Sequence, residues 1–223
     1  MINIMKSVLL INLKAYEECI GVGALKIAEI AESLANDKVE IILATQPTDI
    51  RTLSENNSIP VFAQHVDPVT YGSRTGHILP EAVKNAGAVG TLINHSERQI
   101  NIETIEKTIA RCKEIGLRTV VCTATPEMAK EIAVFKPDYI AIEPPELIGG
   151  DISVSKAKPE IIRNSVKNVA DVNDTPVLCG AGVKNCEDVE KAIDLGASGI
   201  LVASGVVKSS NVKEAILDLL AGF

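Results

Sequence analysis

A closed (β/α)8 barrel, eight parallel strands ringed by helices, is the α/β fold that this 223-residue sequence predicts, and three observations carry it. Short aliphatic runs recur eight times along the chain. Segments with apolar residues at helical spacing separate them, and several of those segments end on a glycine. The runs read apolar on both faces, as strands do when crossover helices cover them. A doubly wound open sheet would more often show fewer units and a glycine fingerprint after the first strand. "GVGALK" at 21–26 lacks the third glycine and reads as a loop before the first helix. No linker, low-complexity segment or charge block divides the chain, so residues 1–223 are expected to form a single barrel domain.

The elements follow in order. "SVLLINL" (7–13) is the first strand, with Val8, Leu10, Asn12 and Lys14 on one face and Leu9, Ile11 and Leu13 on the other. The opening "MINIMKSVLLINLK" lacks a small-residue cleavage site and reads as strand, and Met1 and Met5 serve equally as translation starts. "ALKIAEIAESLAN" (24–36) is the first helix, and "VEIILA" (39–44) and "IPVFAQ" (59–64) are strands two and three. Gly87 stops the next helix before strand four, "AVGTLIN" (88–94). "IETIEKTIARCKEIG" (102–116) is a regular helix closed by Gly116, and "LRTVVC" (117–122) is strand five. "TATPEMAKEIAVFK" (123–136) leaves room for one modest helix before strand six, "DYIAIE" (138–143). "TPVLC" (175–179) and "SGILVA" (198–203) are strands seven and eight, separated by the helix "DVEKAIDLG" (188–196). "NVKEAILDLLAGF" (211–223) is the last helix.

Composition narrows the function. The chain is 46% hydrophobic and 3% aromatic, with 29 acidic against 22 basic residues and a net charge of −7, so an anionic ligand must be held by local groups against a repulsive field. No nucleic-acid partner and no membrane association are expected. Five cysteines, odd in number and without CxxC spacing, read as reduced thiols of a cytoplasmic protein. Three scattered histidines, with no carboxylate cluster to complete a site, predict no metal.

In such a barrel the functional groups stand at the C-terminal ends of the strands. Asn12 and Lys14 end strand one, although taken alone they fit a turn former and a solvated strand end better. In "GTLINHSERQ" the strand period puts Thr91, Ile93 and His95 on one face, with His95 at the rim and Ser96 opening a helix as a capping box with Gln99. A histidine beside a helix N-terminus is held neutral and can donate to an oxygen gaining charge, while a surface histidine fits the same pattern. Glu143 ends strand six on the face of Ala141 and Tyr139, a candidate base before two prolines and a loop through Ser155 able to swing. "CGAGV" (179–183) and "LVASGVV" (201–207) are glycine-bearing turns at the two places where such barrels hold phosphate.

With these residues in view, the chain resembles the triosephosphate isomerase family along its whole length, and its shorter archaeal form in particular. The motifs are "NLK" (12–14), "AQHVDPVTYGSRTGH" (63–77), "NHSER" (94–98), "AIEPPELIG" (141–149) and the two glycine turns. The resemblance implies a metal-free and cofactor-free isomerase of triose phosphates. Glu143 is then the base and neutral His95 the electrophile, the pair known for this family. Lys14 supplies positive charge, Asn12 orients the oxygens, and Ile148, Gly149, Gly182, Ala203 and Ser204 offer phosphate contacts. Ser96 and Glu97 are implied behind the catalytic groups, and the 144–155 loop closes over the substrate. Thr75 is implied at a subunit interface, where His77 departs from the glutamate of commoner forms. A homo-oligomer is implied, a tetramer by the archaeal likeness or else a dimer. Another phosphosugar enzyme on the same barrel, or a barrel that binds without reacting, are the competing readings.

Overall fold

A computed structural model of the protein describes residues 6–144 and 153–223. The strands are β1 (Ser7–Asn12), β2 (Val39–Thr45), β3 (Val61–Ala63), β4 (Gly90–Ile93), β5 (Arg118–Thr123), β6 (Tyr139–Ile142), β7 (Val177–Cys179) and β8 (Gly199–Val202). Each pairs in parallel with the next, and β8 closes back onto β1 with Leu10 opposite Leu201, so the sheet is a barrel without edges. The helices are α1 (Val22–Ser33), α2 (Ile50–Asn56), α3 (Pro80–Asn85), α4 (Ile102–Ile115), α5 (Pro126–Ala133), α6 (Val154–Ala157), α7 (Pro159–Ala170), α8 (Cys186–Asp194), α9 (Ser204–Val207) and α10 (Val212–Ala221).

Local sequence explains where the helices begin and end. Side-chain oxygens of Asn101, Thr125, Asn185 and Asn211 each accept a backbone N–H of the helix they open, satisfying donors that have no partner within the helix. Proline opens α3, α5 and α7, where its missing N–H costs nothing. The stops expected at Gly87, Gly116 and Gly196 all have positive φ.

Strand alternation sorts the core into two layers. Val8, Leu10, Ile42, Ala44, Phe62, Leu92, Val120, Cys122, Ala141, Leu178 and Leu201, drawn from all eight strands, pack together inside the barrel. Leu9, Ile11, Leu43 and Ile200 face outward into the layer beneath the helices. Gly90 makes room for the largest inner side chain, since a Cβ there would stand 2.3 Å from the Phe62 ring. Strand four corrects the sequence reading: Leu92 points inward, and Ile93 packs outward with Ile105 and Ile109 of α4. Cys19, Cys112, Cys122 and Cys179 are buried as small apolar groups, and Cys186 is partly exposed. Among the described residues no helix is long and apolar enough to cross a membrane.

Candidate active site

The C-terminal mouth of the barrel gathers the polar strand ends. Asn12 is 3% exposed, and its Oδ1 accepts the backbone N–H of Lys14 at 3.0 Å. That bond forms because Lys14 adopts a left-handed φ of 49° just past the strand. The Lys14 carbonyl accepts from Gln64 Nε2 at 2.9 Å and Gln46 Nε2 at 3.2 Å, and the two amides bond each other at 3.0 Å. Its ammonium meets Glu97 Oε1 at 2.7 Å with the lysine side chain only 11% exposed. Lys14 is therefore fixed at both ends, with its charge delivered to the mouth.

His95 reaches the same place by a different device. Asn94 takes a left-handed φ of 60°, which breaks the alternation after Ile93 and turns His95 inward. Asn94 holds that turn with its own side chain, donating to the Cys122 carbonyl and accepting from Ile100 N–H, each at 2.9 Å. The segment that follows is a single 3-10 turn, Ser96–Arg98, and its cap is His95 itself: Nδ1 accepts the Glu97 N–H at 3.2 Å. The capping box expected from Ser96 and Gln99 is not formed, because the turn already ends at Gln99. A ring nitrogen that accepts an N–H carries no proton, so the imidazole N–H is on Nε2. That atom lies 3.6 Å from Glu143 Oε1.

Glu143 is 4% exposed, and its Oε2 has no hydrogen-bond partner among the described residues. Its backbone N–H is tied to the Thr123 carbonyl at 2.8 Å. Beneath it, burial pushes the Cys122 thiol up, and the neighbouring Glu143 carboxylate pushes it further the same way. A buried carboxylate with an unpartnered oxygen is costly to keep.

A pocket is lined by Lys14, Tyr16, His95 and Glu143 on one side and by 181–184 and 203–205 on the other. Gly182, Ala203 and Ser204 thus line the same space as Lys14, His95 and Glu143. Ala181 and Gly182 are consecutive left-handed residues, with φ of 68° and 72°. Ala203 opens the short helix α9, accepting the N–H groups of Val206 and Val207. Asn12, Gln46, Gln64, His65 and Arg98 line an adjoining pocket that shares Lys14 and His95. Ser96 lines a small gap behind Glu143 with Cys122 and Gln99. Ile148 and Gly149 lie outside the described residues, as does most of the 144–155 loop. Thr75 and His77 stand exposed in the segment after β3, whose base Asp67 pins by its N–H to the Ile78 carbonyl at 2.9 Å and by Oδ2 to the Ile78 N–H at 2.6 Å. No metal-holding group of three His, Cys, Asp or Glu occurs among the described residues.

Gln46, Gln64 and Cys122 had no role in the sequence reading, although Gln64 and Cys122 end predicted strands, where side chains of neighbouring strands meet. A search of family models matches residues 7–219 to the one described as Triosephosphate isomerase. The chain is 51% identical over 214 residues to the triosephosphate isomerase of Methanocaldococcus jannaschii, covering 95% of this chain and 98% of that protein. It is 45% identical over 217 residues to that of Methanothermus fervidus, covering 96% and 98%. The triosephosphate isomerase of Methanosarcina acetivorans is 46% identical over 214 residues, covering 95% and 96%.

Proposed function

The chain belongs to the triosephosphate isomerase family, and from that premise we propose that it interconverts dihydroxyacetone phosphate and D-glyceraldehyde 3-phosphate through an enediolate, without metal or cofactor. Glu143 takes a proton from the carbon beside the substrate carbonyl, and His95 Nε2–H donates to the oxygen that gains charge. The Lys14 ammonium lies close to the same oxygens and to the phosphate, and Asn12 orients them. Glu143, now carrying the proton, returns it to the neighbouring carbon, so one group serves as base and then as acid. The phosphate rests against Gly182, Ala203 and Ser204, with Ile148 and Gly149 completing its cradle. Closure of the 144–155 loop keeps water from the enediolate and holds it flat, so that phosphate is not expelled before reprotonation. Ser96 and Glu97 support the catalytic groups from behind. The chain works as a single barrel domain in a cytoplasmic homo-oligomer, a tetramer with Thr75 at an interface; sedimentation at the mass of two copies would favour the dimer.

One observation carries the reading: the buried Glu143 carboxylate, whose Oε2 has no hydrogen-bond partner among the described residues, and His95 Nε2 face one another at 3.6 Å in the pocket that Lys14 and the two glycine turns line. A coupled assay tests it, with purified protein, glyceraldehyde 3-phosphate, a reductase that consumes dihydroxyacetone phosphate, and a chelator throughout. Rapid turnover is expected. A folded protein that binds inorganic phosphate but turns over neither triose would overturn the assignment.

A further inference from the structure

Asp188 lies in the first turn of α8, 4% exposed, and belongs to none of the catalytic groups. Its Oδ1 accepts Ser153 Oγ at 2.9 Å and the Lys156 ammonium at 3.0 Å. Its Oδ2 accepts the backbone N–H of Lys184 at 2.9 Å. Its backbone carbonyl accepts Ser155 Oγ at 3.1 Å, and its own N–H is already served by the Asn185 cap at 3.0 Å. Beside this cluster, Val154 N–H donates to the Ala181 carbonyl at 3.2 Å. The turn from Ala181 to Lys184 is thus gripped at both ends: its first carbonyl by Val154, its last N–H by Asp188.

Capping α8 does not require this carboxylate, because Asn185 performs that task. A buried charge is retained at a cost unless it is fully paired, and of the groups paired with this one Lys184 lines the pocket itself. The gripped turn contains the left-handed pair Ala181 and Gly182, and the alanine holds that conformation only where its surroundings impose it. Burial pushes the Asp188 carboxyl up, but the bonds from Lys156, Lys184 N–H and Ser153 outweigh it and hold the group below its ordinary range. Lys156 also offsets the carboxylate charge, which would otherwise oppose an anion in the neighbouring pocket.

We propose that Asp188 is a positioning residue for phosphate recognition: it fastens the chain returning after β6, at Ser153–Lys156, to the turn after β7, and so fixes the shape of the anion-facing wall. The inference rests on the reading of the 181–184 turn as a phosphate contact, and its test is independent of turnover. Inorganic phosphate is titrated calorimetrically into the full chain, wild type, Asp188→Asn and Ser153→Ala, well below each melting temperature. An asparagine amide opposes a donor with a donor at Lys184 or Lys156, so at least one tie fails. Phosphate affinity is expected to fall about tenfold in Asp188→Asn and severalfold in Ser153→Ala, the scale of leaving buried donors unpaired. Loss of thermal stability with phosphate affinity within about twofold of wild type would reduce Asp188 to a structural role and overturn the proposal. If Asp188→Asn does not fold, Ser153→Ala decides by the same criterion. A wild-type protein that binds phosphate but lacks isomerase activity would sink the isomerase reading and leave this one to be decided by the same titrations.

Discussion

At Gly180 one methyl group would decide where Glu143 points. A Cβ there would come within 2.6 Å of Glu143 Cγ and 3.1 Å of the Ile142 carbonyl; the carbonyl belongs to a packed strand, so the Glu143 side chain must shift within the pocket it lines. Gly180→Ala is expected to lower turnover about a hundredfold by displacing the base roughly an ångström, with phosphate affinity nearly unchanged. Wild-type turnover in that variant would mean the carboxylate works from some other position. Glu143→Gln removes the proposed base and keeps its volume, so turnover should fall by about 10²–10⁴-fold while calorimetry finds phosphate bound as before. Equal turnover would remove Glu143 from the chemistry. Both residues were within reach of the sequence: Glu143 as a carboxylate at a strand end, Gly180 as part of a glycine turn. The contact between them was not, because it joins β6 to β7 and no spacing along the chain encodes it.

At the scale of the element, the fourth strand shows where periodicity stops serving. Alternation counted through "TLINH" puts Ile93 and His95 on one face, yet Leu92 fills the barrel and His95 still reaches the mouth. The discrepancy is one left-handed residue, Asn94, and asparagine is among the few side chains that tolerate that conformation and bond to hold it. Asn94→Gly keeps the backbone freedom and loses both hydrogen bonds, whereas Asn94→Ala loses the freedom as well. Unfolding in urea should show Asn94→Gly destabilised by about 1–3 kcal/mol and Asn94→Ala by more, with His95-dependent turnover falling in the same order. Equal stability of the two variants would mean that the left-handed turn is not what aims His95. Strands and helix stops, by contrast, were legible to within about two residues, because aliphatic runs and stop glycines are local signals.

Over the whole molecule, stability depends on pH through groups that the proposed reaction does not use. His65 is 6% exposed, facing Asp67 at 3.2 Å with Arg98 and His77 nearby. Burial lowers its pKa from the ordinary 6.5 more than the bond to Asp67 raises it. Between the lowered value and 6.5 the unfolded chain binds the extra proton, so stability rises with pH through that window and levels off above it. Asp67 acts lower: burial would raise its carboxyl, but the Ile78 N–H and His65 hold it below the usual 3.8, and its contribution is full above 3.8 and lost as pH falls from there through the lowered value. Urea midpoints measured across the range below 6.5 should therefore climb with pH in the wild type and climb less in His65→Asn. Parallel slopes would acquit His65.

The buried cysteines carry a different consequence. Burial pushes Cys19 up to about 11 and Cys112 to about 12, and raises Cys122 and Cys179 as well. Peroxides and alkylating agents attack the thiolate, so sulfurs that stay protonated and out of reach are spared the path to sulfenic acid. Cys122 is the case that matters, since an oxidised sulfur beneath Glu143 would push against the proposed base. With that thiol buried and held protonated, the carboxylate proposed as the base has an unreactive sulfur beneath it.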